Sequence, residues 1–172
     1  MNIAVRIEPG TGATNETPVE YRWDADTDIL TAAVRTNAVG EGMTGSVEVM
    51  GSDSSCLLLD VTAGRINGVE VAVWPDVRKQ SALQPPAQVE DARVTLPSRA
   101  SQPGIASLNV DLSLVAEADT AERTFHFRIG RARPARVVRI ARDILLDVDE
   151  RSRLAGVWLL NVPPFPADAV EQ

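Results

Sequence analysis

Short runs in which apolar and polar residues alternate recur along the chain and predict β-strands. Val19–Trp23 and Val110–Leu114 each place every second side chain on an apolar face, which is the period of a half-buried strand. Ile29–Val34 and Thr124–Ile129 follow them after short acidic turns. We therefore predict strands at all four segments, with the turns exposed to solvent.

A hairpin pattern occurs twice in the chain. Leu57–Val61 reads LLLDV and Ile144–Val148 reads ILLDV, and each is followed by a short polar turn. The second strands, Arg65–Val71 and Arg153–Leu159, each carry one internal glycine. The two copies predict an internal repeat built around a β-hairpin.

Four residues are equivalent under this repeat, Asp60 with Asp147 and Gly68 with Gly156. An isolated glycine inside a strand marks a β-bulge or the close approach of another backbone. We interpret the two aspartates as residues that anchor the hairpin turns. The alternative is a carboxylate pair, brought face to face by the repeat, for acid–base chemistry.

A third strand in each copy is predicted at Ser46–Met50 and Arg136–Ile140. Residues 134–145 also fit a helix with Pro134 in its first turn, so this segment is ambiguous. The strand is favoured because the matching segment of the first copy is bracketed by the glycines at positions 42, 45 and 51.

These elements predict a mostly β fold, with α+β as the alternative, in which two tandem antiparallel meanders pack into one pseudo-symmetric domain. We divide the chain into an N-terminal repeat (1–77), a proline-rich linker (78–107), a C-terminal repeat (108–166) and a tail (167–172). Extra strands are expected near Val89–Leu96 in the linker and at Ile3–Ile7.

Charge and composition narrow the function classes. The net charge is −7, with −6 in residues 1–80 and −1 in residues 81–172. This acidity argues against nucleic acid as the partner, because phosphate neutralisation needs clustered positive charge. No apolar window reaches the length of a membrane helix and the first residues lack a signal-peptide pattern, so we expect a cytoplasmic protein without a membrane partner.

The first copy resembles a known family. Trp23–Leu30 runs aromatic, Asp, three variable residues, Asp, apolar, Leu, and Gly64–Val71 runs GRINGVEV after Leu59 and Asp60. These patterns are similar to those of the YuzE-like family of small bacterial proteins of unknown function, here as two tandem copies with the second diverged. The resemblance implies a small β-rich unit without established catalytic residues. Some members look like the antitoxin half of a toxin–antitoxin pair.

Single residues give weak functional signals. His126 is the sole histidine, and because it lies between Phe125 and Phe127 it faces away from them on the sheet. Cys56 is the sole cysteine, and we expect it to be a small buried apolar residue. We predict no cofactor, and a local turn rather than a metal site at three aspartates with calcium-loop spacing, Asp24, Asp26 and Asp28.

Arginines concentrate in the second half of the chain. Seven fall within residues 123–142, and on a strand such a run would line an exposed face suited to phosphate or carboxylate. The alternative is a solvated edge whose charge discourages aggregation. The candidates for anion or partner contact are Arg128, Arg131, Arg133, Arg136 and Arg139.

The leading functional hypothesis is a non-enzymatic protein-interaction module, such as an antitoxin or immunity-type partner of another protein. A homo-oligomer is an open alternative. The rival hypothesis is a small-molecule-binding protein or hydrolase with its pocket between the repeats, using Asp60, Asp147, His126 and one arginine.

Overall fold

The computed structural model describes residues 2–10, 16–35, 42, 44–97 and 105–166. Every regular element in these residues is a β-strand. The predicted tail (167–172) and residues 98–104 of the predicted linker lie outside the described residues. The strands are β1 (Arg6–Pro9), β2 (Val19–Asp24), β3 (Ile29–Val34), β4 (Thr44–Met50), β5 (Cys56–Thr62), β6 (Arg65–Val73), β7 (Val77–Lys79), β8 (Glu90–Thr95), β9 (Ile105–Asp111), β10 (Leu114–Ala118), β11 (Phe125–Ile129), β12 (Ala135–Ala141), β13 (Ile144–Asp149) and β14 (Leu154–Leu159).

The strands form one curled, mixed sheet, which confirms the mostly β prediction. Its main path runs β7-β10-β11-β14-β13-β12-β8-β6-β5-β4-β9, with β1 attached to β8 and with β3 and β2 attached to β6. Parallel pairing occurs where β7 meets β10, β8 meets β12 and β9 meets β4. The linker therefore supplies strands that join the two halves of the sheet.

The two halves have the same strand order. The first reads β2-β3-β6-β5-β4 and the second reads β10-β11-β14-β13-β12, with every neighbouring pair antiparallel. Two copies of one unit would give this order. That the halves arose by duplication and are related by pseudo-symmetry stays a prediction.

Both hairpins carry a bulge beside the strand glycine. In the first, Asp60 lies opposite Gly68 but Val61 lies opposite Ile66, so one residue of β6 is left without a partner. In the second, Asp147 lies opposite Gly156 but Val148 lies opposite Leu154. The irregularity predicted from the isolated glycines is present at the same place in each half.

One apolar core lies between the inner faces of the two halves. Alternate residues of β5, from Leu57 to Val61, and alternate residues of β13, from Ile144 to Val148, belong to the same buried cluster. Because side chains alternate across a sheet, Asp60 and Asp147 lie on the outer faces of their halves. The two carboxylates therefore point away from the shared core, and they do not form the face-to-face pair of the alternative interpretation.

The structure contradicts one predicted strand and resolves the ambiguity between strand and helix at residues 134–145. The strand predicted at Val110–Leu114 is wrong, because the chain leaves β4 at Asp111 and starts pairing with β11 at Leu114. Residues 134–145 are β12 and the start of β13, so the helix alternative is wrong; Pro134 precedes the strand.

The two extra strands are present with shifted bounds. β8 covers Glu90–Thr95, close to the predicted Val89–Leu96. At the N-terminus, regular pairing begins only at Arg6, and Ala4 forms an isolated bridge to Arg153. This bridge ties the start of the chain to the C-terminal half.

Candidate functional site

An open pocket lined by aromatic rings lies where residues of the two halves meet. Trp23 and Trp74 stack with their ring centroids 5.7 Å apart, and Phe165 meets Trp23 edge-on at 5.2 Å. Phe125 closes the inner end, 5.2 Å from Trp74. These four rings, with Val77, Asp28 and Glu122, line a cavity of about 330 Å³, which we call the aromatic pocket.

Long-range hydrogen bonds hold the C-terminal segment against β2 and so shape this pocket. The Tyr21 hydroxyl donates to the Leu160 carbonyl at 2.6 Å, and the Trp23 indole donates to the Pro163 carbonyl at 2.9 Å. Burial, with Asp143 nearby, raises the pKa of Tyr21, so the phenol stays a neutral donor. Phe165 is thereby placed over Trp23 although the two residues are far apart in sequence.

The rim of the aromatic pocket is acidic. Asp28 and Glu122 are exposed there. The Asp28 backbone is left-handed, with φ 60°, and its carbonyl accepts a hydrogen bond of 2.6 Å from the Trp74 indole. The Lys79 ammonium lies 2.6 Å from a Glu122 carboxylate oxygen. Both indole N–H groups are thus used internally, so a ligand in the aromatic pocket would contact the remaining ring surface, the Asp28 carboxylate and the Glu122 carboxylate that now pairs with Lys79.

The rival hypothesis placed a pocket between the two halves but assigned to it Asp60, Asp147, His126 and one arginine, none of which lines the aromatic pocket. Sequence reasoning assigned Asp28 to a turn and gave no role to Trp23, Trp74 or Phe165. The available signal was local composition: Trp23 precedes an acidic turn, Trp74 precedes Pro75, and Phe165 lies between two prolines.

A second polar cluster lies on the outer face of the C-terminal half. His126 Nε2 lies 2.7 Å from Asp147 Oδ2, and the Trp158 indole donates to Asp147 Oδ1 at 3.0 Å. The imidazole stacks on the Trp158 ring with centroids 4.0 Å apart. An ionised carboxylate only accepts hydrogen bonds, so this geometry places the imidazole proton on Nε2. We call these three residues the outer-face cluster.

Gly156 makes room for the outer-face cluster. It lies directly opposite both Arg128 and Asp147 in the sheet. A Cβ at this position would meet Asp147 Oδ2, the Phe127 carbonyl oxygen at 2.8 Å and His126 Nε2 at 3.2 Å. The glycine is required here by the close approach of these groups rather than by its φ angle.

The rival set of residues converges only in part. His126 and Asp147 meet, whereas Asp60 lies on β5, which three strands separate from β13 along the sheet. Asp147 is also not a turn anchor, because it contacts His126 and Trp158. Asp149 holds the second turn: its Oδ1 accepts from the Arg151 and Arg153 backbone N–H groups, each at 2.9 Å.

The arginine run is divided among different surroundings and does not line one face. Arg133 donates from Nε to Asp149 at 2.7 Å, and Arg153 reaches the same oxygen at 2.9 Å. Burial raises the pKa of Asp149, but these guanidinium and backbone hydrogen bonds outweigh it and lower the pKa to about 2. Arg133 is thus a structural residue and not an anion contact.

The other four candidates lie apart. Arg136 is exposed and lies 3.9 Å from Glu90, and Arg139 donates to the Arg142 carbonyl. Arg131 is exposed and accepts from Arg133 through its carbonyl. Arg128 is partly buried on β11, with a buried Nε that bonds to none of the described residues. The expected single basic strand face is wrong because β14 and β13 separate β11 from β12.

The remaining candidates have local roles. Asp24 Oδ1 accepts from the Asp26 backbone N–H at 3.0 Å, as predicted for a turn. The described residues hold no cluster of three or more His, Cys, Asp or Glu side chains arranged to hold a metal ion. Cys56 is buried, and burial together with Glu48 and Glu70 raises its thiol pKa, as suits an unreactive apolar residue.

No protein-family model matches the chain, and no curated protein matches it. Within the described ranges, no helix has the length and apolar character needed to cross a bilayer. The resemblance to the YuzE-like family therefore stays a prediction.

Proposed function

We propose that this protein is a non-enzymatic interaction module, of the antitoxin or immunity type, that captures a basic side chain of a partner protein in the aromatic pocket. The observation that carries the proposal is the pairing of stacked tryptophan rings with two exposed carboxylates around one cavity. The YuzE-like resemblance of residues 19–77 supports the same class.

The chemistry of the aromatic pocket favours a cation. The face of an indole ring attracts a guanidinium or ammonium group placed within about 6 Å of its centroid, and the attraction grows when water is excluded. Asp28 and Glu122 add opposite charge at the rim, while the protein as a whole carries −7. Such complementarity steers a basic partner and selects against acidic ones.

Lys79 already places a cation at this rim. Its ion pair with Glu122 is about half exposed on both sides, and exposed pairs of this kind contribute about 0–1 kcal/mol. A partner arginine can therefore replace Lys79 at Glu122 at little cost. Lys79→Ala should tighten the binding of a basic peptide, because it frees the carboxylate without touching the rings.

Calorimetry with a short arginine-containing peptide tests the proposal. The neutral control is the same peptide with citrulline, which keeps the shape of arginine but lacks its charge. We expect measurable binding of the arginine peptide alone, and a loss of about ten-fold or more in Trp74→Leu. Trp158→Phe is the matched control, because it changes a tryptophan outside the aromatic pocket. Equal binding of the two peptides, or equal losses in the two variants, would contradict the proposal.

Capture from the native host links this chemistry to a partner. A stoichiometric protein retained at low salt by the wild-type chain, and lost with Trp74→Leu and Glu122→Gln but not with Trp158→Phe, is the expected result. A partner that all three variants retain would place the interaction elsewhere on the molecule.

A small-molecule-binding function is the second candidate. The cavity, at about 330 Å³, falls at the low end of the usual range for ligand pockets. Its rings and carboxylates suit a quaternary ammonium compound. Tetramethylammonium binding that is tighter than binding of the arginine peptide would favour this candidate over a protein partner.

A further inference from the structure

The outer-face cluster has a ring nitrogen left over for a ligand. Asp147 occupies Nε2 of His126, and the side chains of the pair are 11% and 21% exposed, respectively. Among the residues that the structure describes, none bonds to Nδ1. The imidazole is fixed by the Trp158 ring on one face and by Asp147 at Nε2, which leaves Nδ1 as the second nitrogen of a side chain that is 21% exposed.

Arg128 is the neighbouring cation on the same face. His126 and Arg128 are two residues apart on β11, with the core-facing Phe127 between them. Arg128 forms no ion pair with the described residues, and its buried Nε has no hydrogen-bond partner. A buried N–H donor without a partner is unusual in a folded protein, and the guanidinium that carries it lies two residues from an open imidazole nitrogen on the same face of the strand.

We propose that His126 and Arg128 form an oxyanion-binding site on the outer face of the C-terminal half, separate from the aromatic pocket. The Cα atoms of residues two apart on one strand lie about 7 Å from each other, and their side chains point to the same face. A tetrahedral oxyanion with two hydrogen bonds of about 3 Å spans that distance. The Arg128 guanidinium donates to one oxygen, and a hydroxyl of the oxyanion, such as the P–OH of hydrogen phosphate, donates to Nδ1, while Asp147 and Trp158 position the ring.

Glu117 is an acidic neighbour of this site. It lies opposite His126 on β10, and it pairs with neither cation of the site. Its charge opposes an anion placed between His126 and Arg128. Glu117→Gln should therefore tighten oxyanion binding, which gives the proposal a gain-of-affinity test as well as a loss.

Because His126 is the sole histidine, its imidazole NMR signals report the site without assignment. We expect inorganic phosphate to shift these signals and the Trp158 indole signal with saturation at one affinity. Acetate, which has no hydroxyl to donate to Nδ1, should bind more weakly than phosphate. Arg128→Gln should weaken phosphate binding by about ten-fold or more. The matched control Arg139→Gln removes the same charge from β12 and should stay within about two-fold.

Three outcomes overturn the proposal. Non-saturating shifts in the wild-type chain would show only diffuse ion attraction, and equal losses in Arg128→Gln and Arg139→Gln would show that net charge alone matters. If Arg128→Gln does not fold, Arg128→Lys keeps the charge but removes the planar guanidinium, and unchanged phosphate affinity in that folded variant would equally reject a site built on Arg128.

Discussion

The same aspartate position has opposite surroundings in the two halves of this molecule. Asp147 and Asp60 each lie opposite a strand glycine beside a bulge. Around Asp147, His126 and Trp158 approach the carboxylate with N–H groups. Around Asp60, the corresponding strand positions hold Thr31 and Glu70, which bond to each other at 3.3 Å.

The difference shows that the strand order supplies a position and that neighbouring side chains decide its chemistry. Burial, together with the nearby Glu70, raises the pKa of Asp60, because a charged carboxylate is disfavoured away from water and near another acid. Asp147 has both oxygens occupied by donors. A buried acid supplied with donors can hold a histidine in place, whereas one facing another acid cannot.

Substitution of the two glycines should give the largest difference in stability between the two halves. In Gly156→Ala the new Cβ meets the Phe127 carbonyl oxygen at 2.8 Å and also the Asp147 carboxylate. We expect a loss of more than about 3 kcal/mol in the free energy of unfolding, measured by urea denaturation. In Gly68→Ala the contacts are 3.0 Å to Asp60 and 3.2 Å to the Ala32 carbonyl, so the expected loss is about 1 kcal/mol. Equal losses of unfolding free energy in the two variants would contradict this difference between the halves.

Substitution of the two aspartates should change the stability of the fold in opposite directions. Asp147→Ala leaves the buried Trp158 indole and His126 without their acceptor, and we expect a loss of about 1–3 kcal/mol in unfolding free energy. The Trp158 indole proton should also exchange faster in hydrogen-exchange NMR. A variant as stable as wild type would show that the outer-face cluster contributes nothing to the fold.

Acid titration compares two carboxylates of contrasting environment, the buried Asp149 and the half-buried Asp60. The pKa of Asp149 is about 2, below its unfolded value, so its contribution is present at neutral pH and is lost as the pH falls from about 4 towards 2. Asp149→Asn should remove that part of the acid-induced loss of stability. An unchanged acid midpoint in circular dichroism would contradict the role given to the Arg133 and Arg153 hydrogen bonds.

Among these substitutions, Asp60→Asn should change the stability least, and it should raise the stability rather than lower it. A carboxyl group whose folded pKa is raised stabilises the fold below its unfolded pKa, and this stabilisation is lost as the pH rises through the folded pKa. The neutral amide should therefore raise Tm slightly at neutral pH, with the difference vanishing in acid. A lower Tm at neutral pH would show that the ionised Asp60 carboxylate has a stabilising partner, and this would contradict the contrast with Asp147.

The sequence predicts the fold better than it predicts the sites. Alternation placed Phe125 and Phe127 in the core and His126 on the opposite face, and the repeated LLLDV pattern located both hairpins. The rival hypothesis grouped His126 with Asp147, but their direct contact was not predictable, because it depends on β14 lying between their strands. The aromatic pocket brings together Trp23, Trp74 and Phe165 from distant parts of the chain, and no periodicity within one strand carries that information.

The central claim, that the aromatic pocket binds a cation, is tested most directly by the three tryptophan indole N–H signals in a ¹H–¹⁵N NMR titration with an arginine amide. Trp23 and Trp74 lie in the aromatic pocket, and Trp158 lies on the outer face. The account predicts saturable shifts of the Trp23 and Trp74 signals with the Trp158 signal unchanged. Shifts of Trp158 alone, or no saturable shift at any of the three, would contradict it.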